Sequence, residues 1–369
     1  MSNTPATEKW FEIKTNNFTI LFPEGAEYTA QKTANTLESL SDSLSSTMGG
    51  IVNSWPIIIR NQHAISNGFV TMGPKRSEIF TTPPQNYNFI GTNDWLEKVL
   101  IHEYRHIAQY NHSKRGWGKF FYYIFGENTL SALSFTAAPT WFWEGDAVLT
   151  ETLYTNSGRG RIPEFNNYYR LNLLENKKIN TYSKQYLGSY KDYVPNHYVL
   201  GYNFVSQLRK KYDDPDLFEK VTENAFSKPF IPFIFSSSLK KYTGKNLLDN
   251  YKEFNLDLKS GFEEELSYDN SENYQSLVLR KKSSVYTDYE FPHMDNYGNI
   301  LVLKSGIGDY SKFVSLDNAG KENTIYVPGI INSSGMISIK GKYIIWNQFY
   351  FHPRWDNISY SSINIFNTV

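Results

Sequence analysis

Apolar residues change their spacing along this chain, and each change predicts a different kind of element. From Trp10 to Phe22 the stretch WFEIKTNNFTILF alternates on either side of an Asn-Asn pair, which predicts two short strands and a turn. Between Tyr28 and Met48 the spacing lengthens to Leu37, Leu40 and Leu44, a helical period that Gly49-Gly50 should stop. WPIIIR at Trp55–Arg60 reads as a buried strand. NGFVTM (Asn67–Met72) and SEIFTT (Ser77–Thr82) read as two more, joined by a Gly-Pro turn.

Helical periods dominate the middle of the chain. Asp94 and Glu97 form a capping pair for a helix on which Trp95, Val99, His102, His106 and Gln109 share one face. A second helix should follow Pro139 and carry TWFWEGDAVLTETLY. A third should run from Asn196 through HYVLGYNFVSQLRKKY, and NLLDNYKEFNLDLK should form another that ends near Gly261. Beyond Ser267 the pattern turns to short β-rich runs: GNILVLKS, SKFVSLD, NTIYVPG, GMISIK, KYIIWNQF and SSINIFN. The expected fold class is α+β, divided into strands and a helix over 1–92, helices over 93–265, a polar linker at 266–283 and a β-rich segment over 284–369.

Composition narrows the function classes. With 369 residues, 40% of them hydrophobic and 20% charged, the chain can bury a large core and is expected to be globular. Lys+Arg and Asp+Glu balance at 37 each, so no net field favours nucleic acid or an anionic membrane, and function has to lie in a local site. There is no cysteine, which leaves His, Asp and Glu as possible metal ligands. The N-terminal MSNTPATEKWFEIK lacks the pattern of a signal peptide. The longest apolar runs, such as FFYYIF at Phe120–Phe125, are too short to cross a bilayer, so no transmembrane segment is expected. That aromatic run is expected to pack between helices, with a substrate cleft or lipid contact as the alternatives. GRGR at Gly158–Arg161 is expected to be a solvated turn rather than a carboxylate-binding site.

The chemistry concentrates in VLIHEYRHIAQYNH, Val99–His112, where His102, Glu103 and His106 form H-E-x-x-H. Two histidines at i and i+4 on a helix can reach one ion, and the Glu between them stands beside any water bound to it. Zinc is the expected cofactor, one per chain, with Glu103 as general base. Two residues compete for the third ligand position. His112 has the spacing of H-E-x-x-H-x-x-G-x-x-H, but that pattern needs a helix-breaking glycine where this chain has Gln109. Glu144 lies thirty-eight positions after His106, on a second expected helix whose Gly145 and Ala147 allow close approach. Glu151, two turns further on the same face, can accept a hydrogen bond from a ligating histidine.

HEYRHIAQ followed by PTWFWEGDAVLTE resembles the gluzincin peptidases of the MA-like superfamily, which pair H-E-x-x-H-x-x-Q with a later P-x-W-x-x-E-G-x-A segment. The resemblance covers roughly residues 10–265. It departs from aminopeptidase N and thermolysin relatives in a longer gap before Glu144. It implies a zincin domain of mixed sheet plus helices, ending in a helical subdomain, with His102, His106 and Glu144 on zinc and a peptide or protein as substrate. It also implies a Tyr or His from the later helix as hydrogen-bond donor to the developing oxyanion. Tyr198 is the first candidate, His197 the second and Tyr202 the third. An edge strand above the zinc helix should pair with extended substrate, which places Asn67, Gly68 and Phe69 in substrate binding.

FPHMDNYGNILVLKSGIGDYSKFVSLDNAGK and KYIIWNQFYFHPRWDNISYSSINIFN resemble two blades of a TolB-type β-propeller. A propeller needs about four blades to close. The expectation is therefore a partial propeller in the N-terminal part of a longer protein, able to recognise a protein partner. The resemblance further implies an extracytoplasmic location, with the native signal peptide absent from this chain. The competing expectation is a non-catalytic binding module that keeps the zincin fold while the propeller recognises its partner.

Overall fold

The computed structural model describes residues 4–50, 52, 54–175, 179–267, 284–295, 297–329, 331 and 336–368. Its first layer is a mixed sheet. β1 (Trp10–Lys14) and β2 (Phe18–Pro23) pair antiparallel, and β2 lies parallel to β3 (Trp55–Arg60). The hairpin of β4 (Gly68–Met72) and β5 (Lys75–Phe80) completes the order β1-β2-β3-β5-β4, which leaves β4 on the edge. Alternation turns Phe18, Ile20, Trp55, Ile57 and Ile59 inward. Between β2 and β3, α1 (Glu27–Ser45) covers them with Ala30, Ala34, Leu37 and Leu44.

After the short α2 (Tyr87–Ile90) comes α3 (Trp95–Ser113), whose first turn is capped by the Asp94 carboxylate accepting from the Glu97 N–H at 3.1 Å. The remaining helices are α4 (Gly116–Phe125), α5 (Glu127–Ala137), α6 (Thr140–Tyr154), α7 (Pro163–Glu175), α8 (Tyr182–Leu187), α9 (His197–Lys211), α10 (Leu217–Ser227), α11 (Ile234–Thr243) and α12 (Leu247–Ser267), with a 3₁₀ turn at Arg159–Arg161. Helix α12 runs beyond Gly261, because Phe262 and the acidic residues after it keep the chain helical to Ser267. The polar segment 266–283 opens on the last residues of α12 and from 268 onward lies outside the described residues.

One contiguous core joins the sheet to the helices, from Phe18 to Phe254. At its centre Trp141 on α6 packs on Phe204 of α9, ring centres 5.0 Å apart, and on Phe235 of α11 at 5.6 Å. Each such buried side chain stabilises the fold by about 1.5–3 kcal/mol. Helices α6 and α9 meet at a pair of glycines. A Cβ on Gly201 would collide with the Trp141 carbonyl oxygen and crowd Gly145 Cα, so only glycine permits this crossing.

Helices α3, α6 and α9 are also tied by charge. Asp146, fully buried on α6, accepts from Arg105 Nε at 2.6 Å, from Gln109 Nε2 at 2.9 Å and from Arg209 at 2.8 Å. Burial pushes the Asp146 carboxyl up, but Arg105 and Arg209 outweigh it and hold the group below the usual carboxylate range.

The last part of the chain forms two antiparallel sheets, neither of them closed. One contains β6 (Thr287–Met294), β7 (Ile300–Gly306), β8 (Asp309–Leu316) and β9 (Glu322–Tyr326); the other contains β10 (Ile337–Lys340), β11 (Tyr343–Phe351) and β12 (Ser359–Asn367). Strand β6 escapes the period-two pattern because its register shifts between Glu290 and His293, where Phe291 takes a left-handed backbone. The second sheet touches the first layer directly. Ser359 N–H donates to the Gln62 carbonyl at 3.1 Å, and Ser359 Oγ accepts from the Ala64 N–H at 2.9 Å. The whole is a mixed α+β structure, and no described helix is long and apolar enough to cross a membrane.

Two expectations for polar and aromatic runs are overturned. The aromatic run at Phe120–Phe125 forms much of α4 but does not pack between helices: Phe120, Tyr123, Ile124 and Phe125 are exposed. Arg159 of GRGR is buried rather than solvated, because Glu151 supplies a buried partner.

The glycine crossing gives two opposite outcomes in urea denaturation. Gly201→Ala should lose roughly 1–3 kcal/mol as α6 and α9 are forced apart. Gly261→Ala, where an added Cβ meets nothing within 4 Å, should gain about 0.5–1 kcal/mol from helix propensity.

Candidate metal centre

Helix α3 enters the core with its histidine face toward α6, which brings His102, His106 and Glu144 together. His102 Nε2 and His106 Nε2 stand 3.2 Å apart, and Glu144 Oε2 lies 3.4 Å from the first and 3.3 Å from the second. A tetrahedral zinc with ligand bonds of about 2.05 Å separates its ligand atoms by about 3.35 Å. The triangle therefore has the edge lengths of three tetrahedral ligands around one ion.

The outer atoms of the same side chains show how the two rings are held. His102 Nδ1 lies 3.0 Å from Glu151 Oε2, an acceptor, and 2.9 Å from a terminal nitrogen of Arg159, a donor, so the ring is held by both members of a buried ion pair. His106 Nδ1 lies 2.9 Å from Gln109 Oε1. The Gln109 amide can only face that way, because its Nε2 donates to the Trp143 carbonyl at 3.0 Å and to Asp146. Both imidazoles turn their Nε2 atoms on one carboxylate oxygen, Glu144 Oε2, that has no other hydrogen-bond partner. A buried carboxylate facing two imidazole nitrogens is stabilised by a proton or a metal ion between them. Electrostatics agree: burial pushes His106 down, yet the Glu144 carboxylate more than offsets this and raises it to about 9. The residues present fit zinc.

Glu103 lies beside the triangle. Its Oε2 is buried without a partner, and burial raises its carboxyl above the ordinary range against the pull of His102 and His106. Gly68 on β4 stands directly above it. A Cβ there would meet Glu103 Oε1 at 3.1 Å and strike Val99, so glycine lets the edge strand run close over the helix.

A cavity of about 380 Å³ opens over these groups, lined among others by Asn67, Gly68, Lys98, His102, Glu103, Arg159 and Tyr198. Met336 and Phe349 from the second tail sheet complete its wall. Phe69 is not part of that lining; its ring packs edge-on against Phe80, 6.4 Å away, because alternate strand residues face opposite ways. Tyr198 lies in the first turn of α9, after the Asn196 cap, with its ring centre 6.4 Å from that of His102. Burial and then the Glu144 charge raise its phenol above the ordinary range. His197 packs beside it, ring centres 4.6 Å apart, while Tyr202 is turned onto Phe165 and Gly160, outside the lining.

His112 is not brought to the triangle. Its Nε2 faces the Glu219 carbonyl at 3.2 Å and its ring packs on Phe226, and burial, then Arg115, pushes it down to about 3. The helix continues unbroken through Gln109, which carries His112 away from the ligand face.

Arg159, Gln109 and Lys98 are site residues whose roles the sequence hid. Arg159 holds Glu151 with Nε on Oε1 at 2.7 Å and a terminal nitrogen on Oε2 at 2.8 Å. Lys98 is buried one turn before His102, donates to the Phe89 carbonyl and is pushed down to about 8 by that burial. For Gln109 a signal existed: it shares the ligand face, three residues after His106. For Arg159 and Lys98 none did: their partners lie only eight and nine residues away, but across a change of element, where no helical or strand period links them.

No protein-family model matches the chain, and neither does any curated protein. Among solved structures, that of native yeast LTA4 hydrolase is similar over 68% of this chain and 38% of that one, with 14% sequence identity and a TM-score of 0.32. This chain thus spans well under half the length of that protein.

Proposed function

We propose that this protein is a zinc-dependent peptidase of gluzincin type that hydrolyses peptide bonds. The observation that carries the reading is the His102–His106–Glu144 triangle, with the unpartnered Glu103 carboxylate next to it. His102, His106 and Glu144 would hold zinc, which would supply Lewis-acid polarisation of a carbonyl and lower the pKa of water to about 7. Glu103 takes the proton as water attacks the peptide carbonyl and returns it to the leaving amine; its raised carboxyl suits that exchange near neutral pH.

Tyr198 donates its hydroxyl hydrogen to the oxyanion that develops on the substrate. What supports this role is its place in the cavity lining, with its ring centre 6.4 Å from that of His102. Glu151 and Arg159 hold the His102 ring, and Gln109 holds His106. Substrate runs extended along β4, with its backbone paired to that edge and Asn67 and Gly68 beneath it. The two tail sheets are, in this reading, blades of a partial propeller.

A second reading is a non-catalytic module that uses the tail sheets to bind a partner. The observation in its favour is the face of β12, where Ile363 and Ile365 are exposed. Turnover separates the two readings.

Elemental analysis of purified protein should give one zinc per chain. Glu103→Gln should keep that zinc while losing at least about a hundredfold in cleavage of an unstructured peptide library; full activity in this variant would remove the general base. Glu144→Ala should lose the metal and His112→Gln should keep it; the reverse pattern would overturn the ligand set. Wild-type protein that holds zinc and cleaves nothing would favour the binding module.

The ring-holding bonds yield a separate outcome. Gln109→Leu removes the acceptor on His106 Nδ1 and should weaken zinc binding by roughly 10–100-fold in a competition titration with a chelating dye. Unchanged affinity would mean that the contact does not orient the ligand.

A further inference from the structure

We propose that α4 and the adjoining loop at 228–233 form a docking surface for an anionic phospholipid bilayer. The inference concerns a surface distinct from the metal centre and stands whether or not the peptidase reading does.

Helix α4 is about 15 Å long and carries the sequence GWGKFFYYIF. Its side chains face outward where a soluble helix would show charge: Trp117 is 56% exposed, Tyr123 69% and Phe125 63%. The loop KPFIPF after α10 exposes Phe230 and Phe233, and Phe121 of α4 packs edge-on against Phe230 with ring centres 5.2 Å apart. Phe233 is 85% exposed and sits in the left-handed backbone region at φ +57°. That conformation is unfavourable for a bulky residue, and here it presents the ring to solvent instead of burying it. A contiguous apolar surface of this kind marks an interaction site.

The polar groups around it identify the occupant. Lys114, Lys119 and Lys228 border the aromatic surface, and among the described residues no ion pair is recorded for any of the three. Arg115 is the exception, paired with Glu223 at 2.6 Å. The chain as a whole is neutral, so this is a local excess of positive charge beside exposed aromatic rings. Long lysine stems can lie along an apolar surface while their ammonium groups reach outward. Lys114 differs, laying its ammonium over an aromatic ring of the surface, with Nζ 3.5 Å from the Tyr122 ring centre. Trp and Tyr rings sit well at the headgroup level, Phe and Ile deeper, and lysines meet lipid phosphates. A helix whose backbone bonds are satisfied within itself can enter that boundary without leaving polar groups unpaired. The helix is far too short to span, so it lies in the plane of the surface.

The test uses the whole chain in vesicle flotation, with phosphatidylcholine alone and with phosphatidylcholine containing about 30% phosphatidylglycerol. Wild-type protein should float with the anionic vesicles and bind the neutral ones several-fold more weakly. Trp117→Ser combined with Phe125→Ser and Phe233→Ser should lower binding about tenfold or more, and Lys119→Glu with Lys228→Glu should abolish the preference for anionic lipid. Thermal melts check that each variant folds, and single Phe233→Ser replaces the triple variant if that one does not. Absence of wild-type binding to both vesicles overturns the proposal, as does equal binding to both. Concentration-dependent self-association that the same serine substitutions abolish, without vesicle binding, would assign the surface to a second copy of the chain.

Discussion

The candidate site depends first on one buried charge, the carboxylate of Asp146. It is fully enclosed and reaches two guanidinium groups and an amide drawn from α3 and α9. Breaking a buried pair of this kind costs roughly 3–5 kcal/mol, because the charges left behind have no water to turn to. The same contact fixes how α6 is rotated against α3. Glu144, two residues earlier on α6, is thereby held opposite the histidines, and Gln109 is held with its oxygen toward His106. The glycine crossing with α9 sets the remaining distance and brings Tyr198 to the rim.

A second charged group works on the other histidine. Glu151 receives three hydrogen bonds from Arg159, two from its side chain and one from its backbone, and one of its oxygens faces His102 Nδ1. Each imidazole is therefore clamped at Nδ1 by a partner that is itself clamped. The Nε2 atoms have little freedom to turn away from each other. Rigid outer bonds of this sort let a protein keep mutually unfavourable groups in register for an ion.

What could be read in the sequence was local: the i, i+4 histidines, the Asp94 cap, the helix that continues through Gln109, and the strands before it. All follow from neighbours within a turn or a pleat. What could not be read depended on partners in other elements, outside the reach of any period. Arg105, Lys98 and Arg159 look like surface residues until Asp146, the Phe89 carbonyl and Glu151 are placed beside them. The aromatic run failed in the opposite direction. Hydrophobicity predicts burial only when something is available to cover it, and nothing among the described residues covers most of α4. Phe69 illustrates a finer limit, since the strand was identified but the face of each residue was not.

The tail sheet that touches the cleft separates two properties that enzymes often entangle. Every group that could hold metal, move a proton or orient a ring lies between His102 and Tyr198, while Met336 and Phe349 contribute only wall, held in place through Ser359 on the Gln62–Ala64 segment. Changes in the tail can therefore reshape what fits the cavity without touching a ligand atom. The candidate ligand cluster and this part of the cavity wall are written in different stretches of the chain, free to drift at different rates.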